Sequence, residues 1–310
     1  MKKIQLLLAV ILLSCSVYGS GSKDISRNAF YHSDEPAHCQ HLQPTDKDRL
    51  ALSDWVLAQG AELKQQGCWK SHIYWGEQAL KEARKRKQFD QQRALLLSLA
   101  SSFFYLGDYV RCLSFAKAAE TLSDPVKDWK TMVESLYLQS AVARVQSRGQ
   151  AVKLAEKALS IIDQQKEPAE FLRGKVLYNL AAALTDGEEK NLARAREVLI
   201  QAEALFKEAG SQYDVSRTVI RLARVCYLQK DYDKALKRLN SIQSQLVQPR
   251  TRMLFFQQRA KVLLAMNEWQ AAGEDIEKAR ELAVSLDARA DLDRIKALQV
   301  SIDNNNQPSP

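Results

Sequence analysis

The chain has 310 residues, 46% apolar and 26% charged, which suits a large buried core and excludes a disordered polymer. Only 11 glycines and 7 prolines are present, too few for the many turns of a β-sandwich or barrel, and strong helix formers dominate instead. A formal charge of +8 suits anionic lipid, cell-wall polymer or an acidic partner as counterpart, or simply a solvated basic surface.

The first element reads as an export signal. Lys2 and Lys3 precede an apolar run from Ile4 to Leu13, followed by small and polar residues to Ser22. That run is too short to cross a hydrocarbon core about 30 Å thick, so residues 1–22 are set apart from the folded part. Two forms stay open. Cleavage follows Gly19, or a lipoprotein signal ends before Cys15, since Leu12-Leu13-Ser14-Cys15 resembles a bacterial lipobox with a bulkier Leu13 than usual. In the second form Cys15 is lipidated and tethers the chain to a membrane. Either form places the folded part outside the cytoplasm: in the periplasm, on the outer membrane as a lipoprotein, or secreted. That compartment argues against a nucleic-acid partner. Residues 23–44 lack periodicity and read as an extended N-terminal arm.

Residues 45–302 are expected to be helical throughout. Thr45 and Asp48 have capping-box spacing at the opening of the first long helix. Asp90, Asp108, Asn191, Asp231 and Asn267 stand as N-caps, and Pro125, Pro168 and Pro249 fall at first helical turns. Helical periodicity puts Leu96, Leu99 and Phe103 on one stripe. Small residues recur midway along alternate helices, at Gly60, Ala100, Ala181, Ala223 and Ala260, with Gln139 as the exception. A second set follows late in the intervening helices, at Ala79, Ala119, Ala158, Ala202 and Ala279, with Ile242 as the exception. Aromatic residues such as Trp69, Tyr109, Tyr232 and Trp269 mark the turns between. Small side chains let paired helices approach closely, and an aromatic wedges each pair.

This pattern resembles the tetratricopeptide repeat, with six copies beginning near Ser53, Arg93, Met132, Gly174, Ser216 and Met253. The copies are longer than the usual 34 residues, as in the long-helix variants of some bacterial regulators and kinesin light chains. The third copy is degenerate, and the fourth carries an enlarged turn from Asp186 to Asn191. The resemblance implies an all-α, right-handed solenoid of about six hairpins. Ala288, Leu292, Ile295 and Leu298 mark a final amphipathic helix that caps it, and residues 303–310 read as a disordered tail.

Enzyme motifs are absent: there is no HExxH, no phosphate-loop signature and no GxSxG. No catalytic residue and no cofactor is therefore expected. The histidines are confined to His32, His38, His41 and His72. Three of them, with Cys39, make a conceivable metal set, but the spacing matches no metal signature and no metal is expected. In an oxidising compartment Cys39 and Cys68, both on loops, are expected to form a disulfide pinning the arm to the first repeat. Cys112 and Cys226 read as small buried residues, and Trp55, Trp69 and Trp75 as an aromatic core under the arm.

What remains is an interaction surface. Tetratricopeptide arrays bind peptides along the inner faces of their first helices, and the resemblance carries that role to Leu97, Phe104, Tyr105, Tyr137, Lys175, Tyr178, Asn179, Arg217, Arg221, Arg224 and Lys261. Arg217, Arg221 and Arg224 share one helix face and match carboxylates, either a partner's or those of Asp214 and neighbouring helices. The chain thus reads as a non-enzymatic adaptor in a bacterial envelope, taking a protein or peptide partner of acidic character. A secreted or surface-exposed effector that engages a foreign protein is the alternative.

Overall fold

The computed structural model describes residues 37–305, apart from 125, 147–148, 188–189 and 287. The export signal, Cys15, residues 23–36 of the arm, Pro125 and residues 306–310 lie outside the described residues. Among the described residues there is no strand, and no helix is long and apolar enough to cross a membrane.

A 3-10 turn, Ala37–His41, precedes a short helix α1 (Asp46–Arg49). Six antiparallel hairpins follow. Their first and second helices are α2 (Leu52–Gln65) with α3 (Trp69–Lys85), α4 (Phe89–Tyr105) with α5 (Tyr109–Thr121), and α6 (Trp129–Val145) with α7 (Ala151–Asp163). Then come α8 (Glu170–Asp186) with α9 (Leu192–Glu208), α10 (Gln212–Leu228) with α11 (Tyr232–Asn240), and α12 (Pro249–Ala265) with α13 (Trp269–Ser285). The cap is α14 (Arg289–Asn305). It runs into the stretch expected to be a tail, so residues 303–305 are helical.

The expected small residues sit where helices touch. Ala100, Ala181, Ala223 and Ala260 are wholly buried, as are Ala79, Ala119, Ala158, Ala202 and Ala279. At Gly60 a Cβ would stand 2.9 Å from the His72 Nε2, so the glycine admits that ring. The third hairpin is in register, one residue later than the sequence suggested. Its small residue is Ser140, fully buried, whereas Gln139 is half-buried. Each first helix then ends five residues after its small residue, which fixes a common frame for all six.

Helix punctuation departs from expectation in places. The Thr45–Asp48 capping box forms, but it opens the four-residue α1, and the first long helix starts afresh at Leu52. Asp108, Asn191 and Asp231 cap their helices by accepting backbone N–H bonds. Asp90 lies inside α4, which Gln88 precedes, and Asn267 takes a φ of 64° between α12 and α13, where Glu268 holds the cap position. Pro249 is the first residue of α12, while Pro168 stands before α8 begins.

Each first helix packs against the first helix of the next hairpin. Second helices pack closely on the flanking first helices and hardly touch one another. First helices therefore converge and second helices splay, so the recess belongs to the first helices.

At the N-terminal end, Cys39 and Cys68 are joined by a disulfide, and Leu42 and Trp55 pack around them. Gln43 accepts a hydrogen bond from the Trp75 indole at 2.6 Å. His38 lies beside the two sulfurs, which are spent on the bridge, while its ring nitrogen sits 2.9 Å from the Gln66 carbonyl. His72 belongs to the core instead. Its nitrogens meet Ser98 Oγ at 3.0 Å and Ser102 Oγ at 2.9 Å, and burial together with the charge of Lys64 lowers its pKa to about 3. Cys112 and Cys226 are free and buried.

Candidate ligand recess

With the common frame in place, Glu134 on α6, Lys175 on α8 and Arg217 on α10 occupy equivalent positions, six residues before their small residues. They form a rung across three first helices. Lys175 Nζ donates to Glu134 Oε1 at 3.1 Å and lies 5.6 Å from the Tyr137 ring centroid. Although burial opposes it, the Glu134 carboxylate raises the Lys175 pKa. Arg217 donates to Asp214 Oδ1 at 3.2 Å, and its guanidinium lies over two rings, Tyr178 at 4.7 Å and Tyr213 at 5.2 Å. Stacking and ion pairing together hold a charge that partial burial would otherwise penalise.

Deeper along the same helices lies a second cluster. Asp186, the last residue of α8, accepts from Arg221 at 2.9 Å and from Arg224 at 2.8 Å, and Arg144 stands 3.7 Å away. Among the described residues, these three arginines share that single carboxylate. The cluster keeps a surplus of positive charge, and Lys261 feels it: burial and then the charges of Arg224 and Arg294 lower its pKa to about 8. Burial alone would raise the Tyr178 pKa, but Arg217, Arg221 and Arg144 bring the phenol down to about 8. The Nε atoms of Arg144 and Arg221 and the side-chain nitrogens of Gln257 and Gln258 are buried without a hydrogen-bond partner. The two arginine Nε groups beside Asp186 are donors without acceptors, in a field that favours anions.

The recess thus brings together Tyr105, Tyr137, Lys175, Tyr178, Arg217, Arg221, Arg224 and Lys261 from the expected set. Leu97 and Asn179 do not line it. Leu97 is buried in the packing, and Asn179 donates to the Tyr137 carbonyl at 3.2 Å and to Ser140 Oγ at 2.9 Å, tying α8 to α6. Phe104 packs edge-on to Tyr105 and against Tyr109 in its own hairpin. Of the two readings of the arginines, intramolecular pairing is what the structure holds for Arg217, Arg221 and Arg224. Glu134, Arg144, Asp186 and Tyr213 were not foreseen. The equivalence of Glu134 with Lys175 is present in the sequence, but it shows only when Ser140, rather than the exceptional Gln139, is set at the small-residue position.

The recess also closes end to end. Trp69, at the start of α3, stacks on Tyr105 with centroids 5.5 Å apart, and the Arg250 guanidinium at the start of α12 lies 5.3 Å from Trp69 and 5.5 Å from Tyr105. Arg250 is held by Asp291 of the cap helix at 3.3 Å.

Helical hairpins in a common frame, converging first helices and a charged inner recess define a solenoid of the tetratricopeptide type. Comparison with protein-family models and with curated proteins returns no match. Solved structures do share the fold. The complex of Rap protein with Competence and Sporulation Factor matches with a TM-score of 0.58 at 13% identity, over 82% of this chain and 75% of that one. NprR in complex with its cognate peptide NprX matches at 0.52 and 14%, over 86% and 81%. BtubC from P. vanneervenii matches at 0.50 and 18%, over 80% and 94%. At such identities the likeness is one of fold.

Proposed function

We propose that this chain is a non-enzymatic interaction scaffold whose recess takes a peptide segment of a partner and holds it by an acidic group. The observation that carries this reading is the imbalance at Asp186: three arginines share one carboxylate, and the buried Nε donors of Arg144 and Arg221 are unanswered. A carboxylate from a partner supplies both the missing charge and the missing acceptors, and guanidinium groups suit it. The tyrosines beside the cluster offer flat surfaces for the rest of the segment. Two structures of the same fold, those of Rap protein and NprR, were determined with a named factor and a cognate peptide. The signal-like N-terminus supports action in a bacterial envelope, tethered through Cys15 or free in the periplasm, with a secreted effector as the second setting.

Fluorescence anisotropy with labelled peptides rich in Asp and Glu, against amide counterparts rich in Asn and Gln, tests the reading. Acidic peptides should bind in a salt-sensitive way, and Arg221→Glu with Arg224→Glu should abolish it. Equal binding of both peptide sets, or an unchanged affinity in the double variant, overturns it.

A further inference from the structure

The rung of Glu134, Lys175 and Arg217 meets a further charge from the opposite wall of the recess. Lys64, half-buried near the end of α2, stands four residues after Gly60, the position that Arg144 holds after Ser140. Its own helix packs on α3 and α4, whereas α8 belongs to the hairpin three further along. The Lys64 ammonium nevertheless feels the charges of Lys175 on α8 and Glu134 on α6. The two lysines therefore face each other across the recess.

The charges at this level do not balance. Lys64, Lys175 and Arg217 stand against Glu134 and Asp214, three cations to two carboxylates. Both carboxylates are taken, Glu134 by Lys175 at 3.1 Å and Asp214 by Arg217 at 3.2 Å. Among the described residues Lys64 makes no ion pair. It donates to Ser98 Oγ at 3.2 Å, and behind Ser98 lies the neutral ring of His72. An ammonium group carries three donors, so two remain for a ligand. Burial and the charge of Lys175 lower the Lys64 pKa to about 8, as befits a cation without its counter-ion.

We infer that Lys64 and Ser98 form a second carboxylate subsite, so that the recess selects segments carrying two acidic groups set well apart. Capture at Asp186 is presupposed, and the second subsite adds a spacing to it. Lys175 and Asp186 are eleven residues apart on α8, roughly 16 Å along the helix axis. An extended segment covers that distance in about five residues, at roughly 3.3 Å each. Between the two anchors stand Tyr137, beside Lys175, and Tyr178, under Arg217 and Arg221. Their rings offer flat surface to the uncharged residues in between.

The test is fluorescence anisotropy with labelled, end-blocked peptides of otherwise neutral residues that carry two Asp, either five positions apart or adjacent. Their net charges are equal, so only spacing differs. The spaced peptide should bind about tenfold more tightly, the worth of one charge-assisted hydrogen bond. Lys64→Gln, which keeps a donor for Ser98, should erase that difference and leave the adjacent pair unaffected. Glu134→Gln releases Lys175 and should widen it. A third peptide replaces the second Asp by a free C-terminus at the same spacing. Tight binding of either spaced form supports the subsite, and the form that binds tells side chain from chain end. Circular dichroism verifies that each variant is folded. Equal affinities for spaced and adjacent forms, or a preference that survives Lys64→Gln, overturns the subsite while capture at Asp186 stands. Binding of no peptide, or binding unchanged by Arg221→Glu with Arg224→Glu, overturns the capture and the subsite together.

Discussion

Gly67 in the turn of the first hairpin and Leu286 at the end of the sixth lie so close that a Cβ on Gly67 would stand 2.6 Å from Leu286 Cδ2. The contact joins the turn edge of one hairpin to the link edge of the other. One superhelical turn therefore advances by about one helix length, roughly 25 Å for 17 residues. Trp69 under Arg250 seals the same junction.

Gly67→Ala should therefore cost more than backbone strain. Its φ of 82° alone penalises a side chain by about 1 kcal/mol, and overpacking against Leu286 adds about 1–2 kcal/mol. Gly107 is the matched reference, with a φ of 79° and nothing within 4 Å of the added Cβ. Urea denaturation of both variants isolates the end-to-end contact, and Leu286→Ala should erase the excess in a double-mutant cycle. Equal losses at the two glycines would show that the ends do not press on each other in solution.

Ser140 should be far less tolerant than its neighbour Gln139. Ser140 is fully buried, donates to the Ala151 carbonyl at 2.7 Å and accepts from Asn179. Ser140→Leu overpacks the α6–α8 contact and strands the Asn179 amide, costing about 3 kcal/mol. Gln139→Leu gives up bonds to Glu120 and Ser135 at a half-buried site, about 1 kcal/mol. A reversed ranking in thermal unfolding would put the small-residue position back at Gln139.

The same pair shows how far the sequence could be read. Alanine or glycine at a helix crossing is dictated by distance, so five of the six first helices declared their register unaided. Ser140 escaped because Gln-Ser-Ala offers two adjacent small residues, and choosing between them needs the neighbouring helices. Asp186 escaped for a different reason. A helix-terminal Asp before Gly187 looks like a turn residue, and only packing of α8 between α6 and α10 brings three arginines to it. The Trp69–Arg250 junction was illegible in principle, since closure is the sum of small rotations between hairpins.

Removing the Cys39–Cys68 bridge should destabilise the first hairpin. It closes a loop of 29 residues, for which constraint of the unfolded chain is worth about 3 kcal/mol. Hydrogen exchange in Cys39→Ser with Cys68→Ser should show lost protection in α2 and α3 and little change beyond α8. Uniform loss along the solenoid would mean that the bridge acts on global stability alone.

His72 ties stability to acid. Burial holds its folded pKa at about 3, below the unfolded value of 6.5, so the unfolded chain takes up the proton first. The contribution is complete above pH 6.5 and declines as the pH falls toward 3, by about 1.4 kcal/mol per pH unit. His72→Gln, which keeps a partner for Ser98 or Ser102, should flatten that limb of the stability profile. An unchanged slope between those two pH values would assign the acid sensitivity to other groups.

Asp186→Asn leaves Arg144, Arg221 and Arg224 without their shared counter-charge. The group is half-buried, so the loss should approach about 3 kcal/mol. What separates charge repulsion from a lost hydrogen bond is salt. Repulsion among like charges is screened, so the deficit should shrink between low and high ionic strength. Adding Arg221→Gln to Asp186→Asn should recover part of it, because one surplus cation is gone. A deficit that ignores both salt and the second substitution would show that Asp186 matters for geometry rather than charge. The surplus on which anion capture depends would then not be felt in the folded protein.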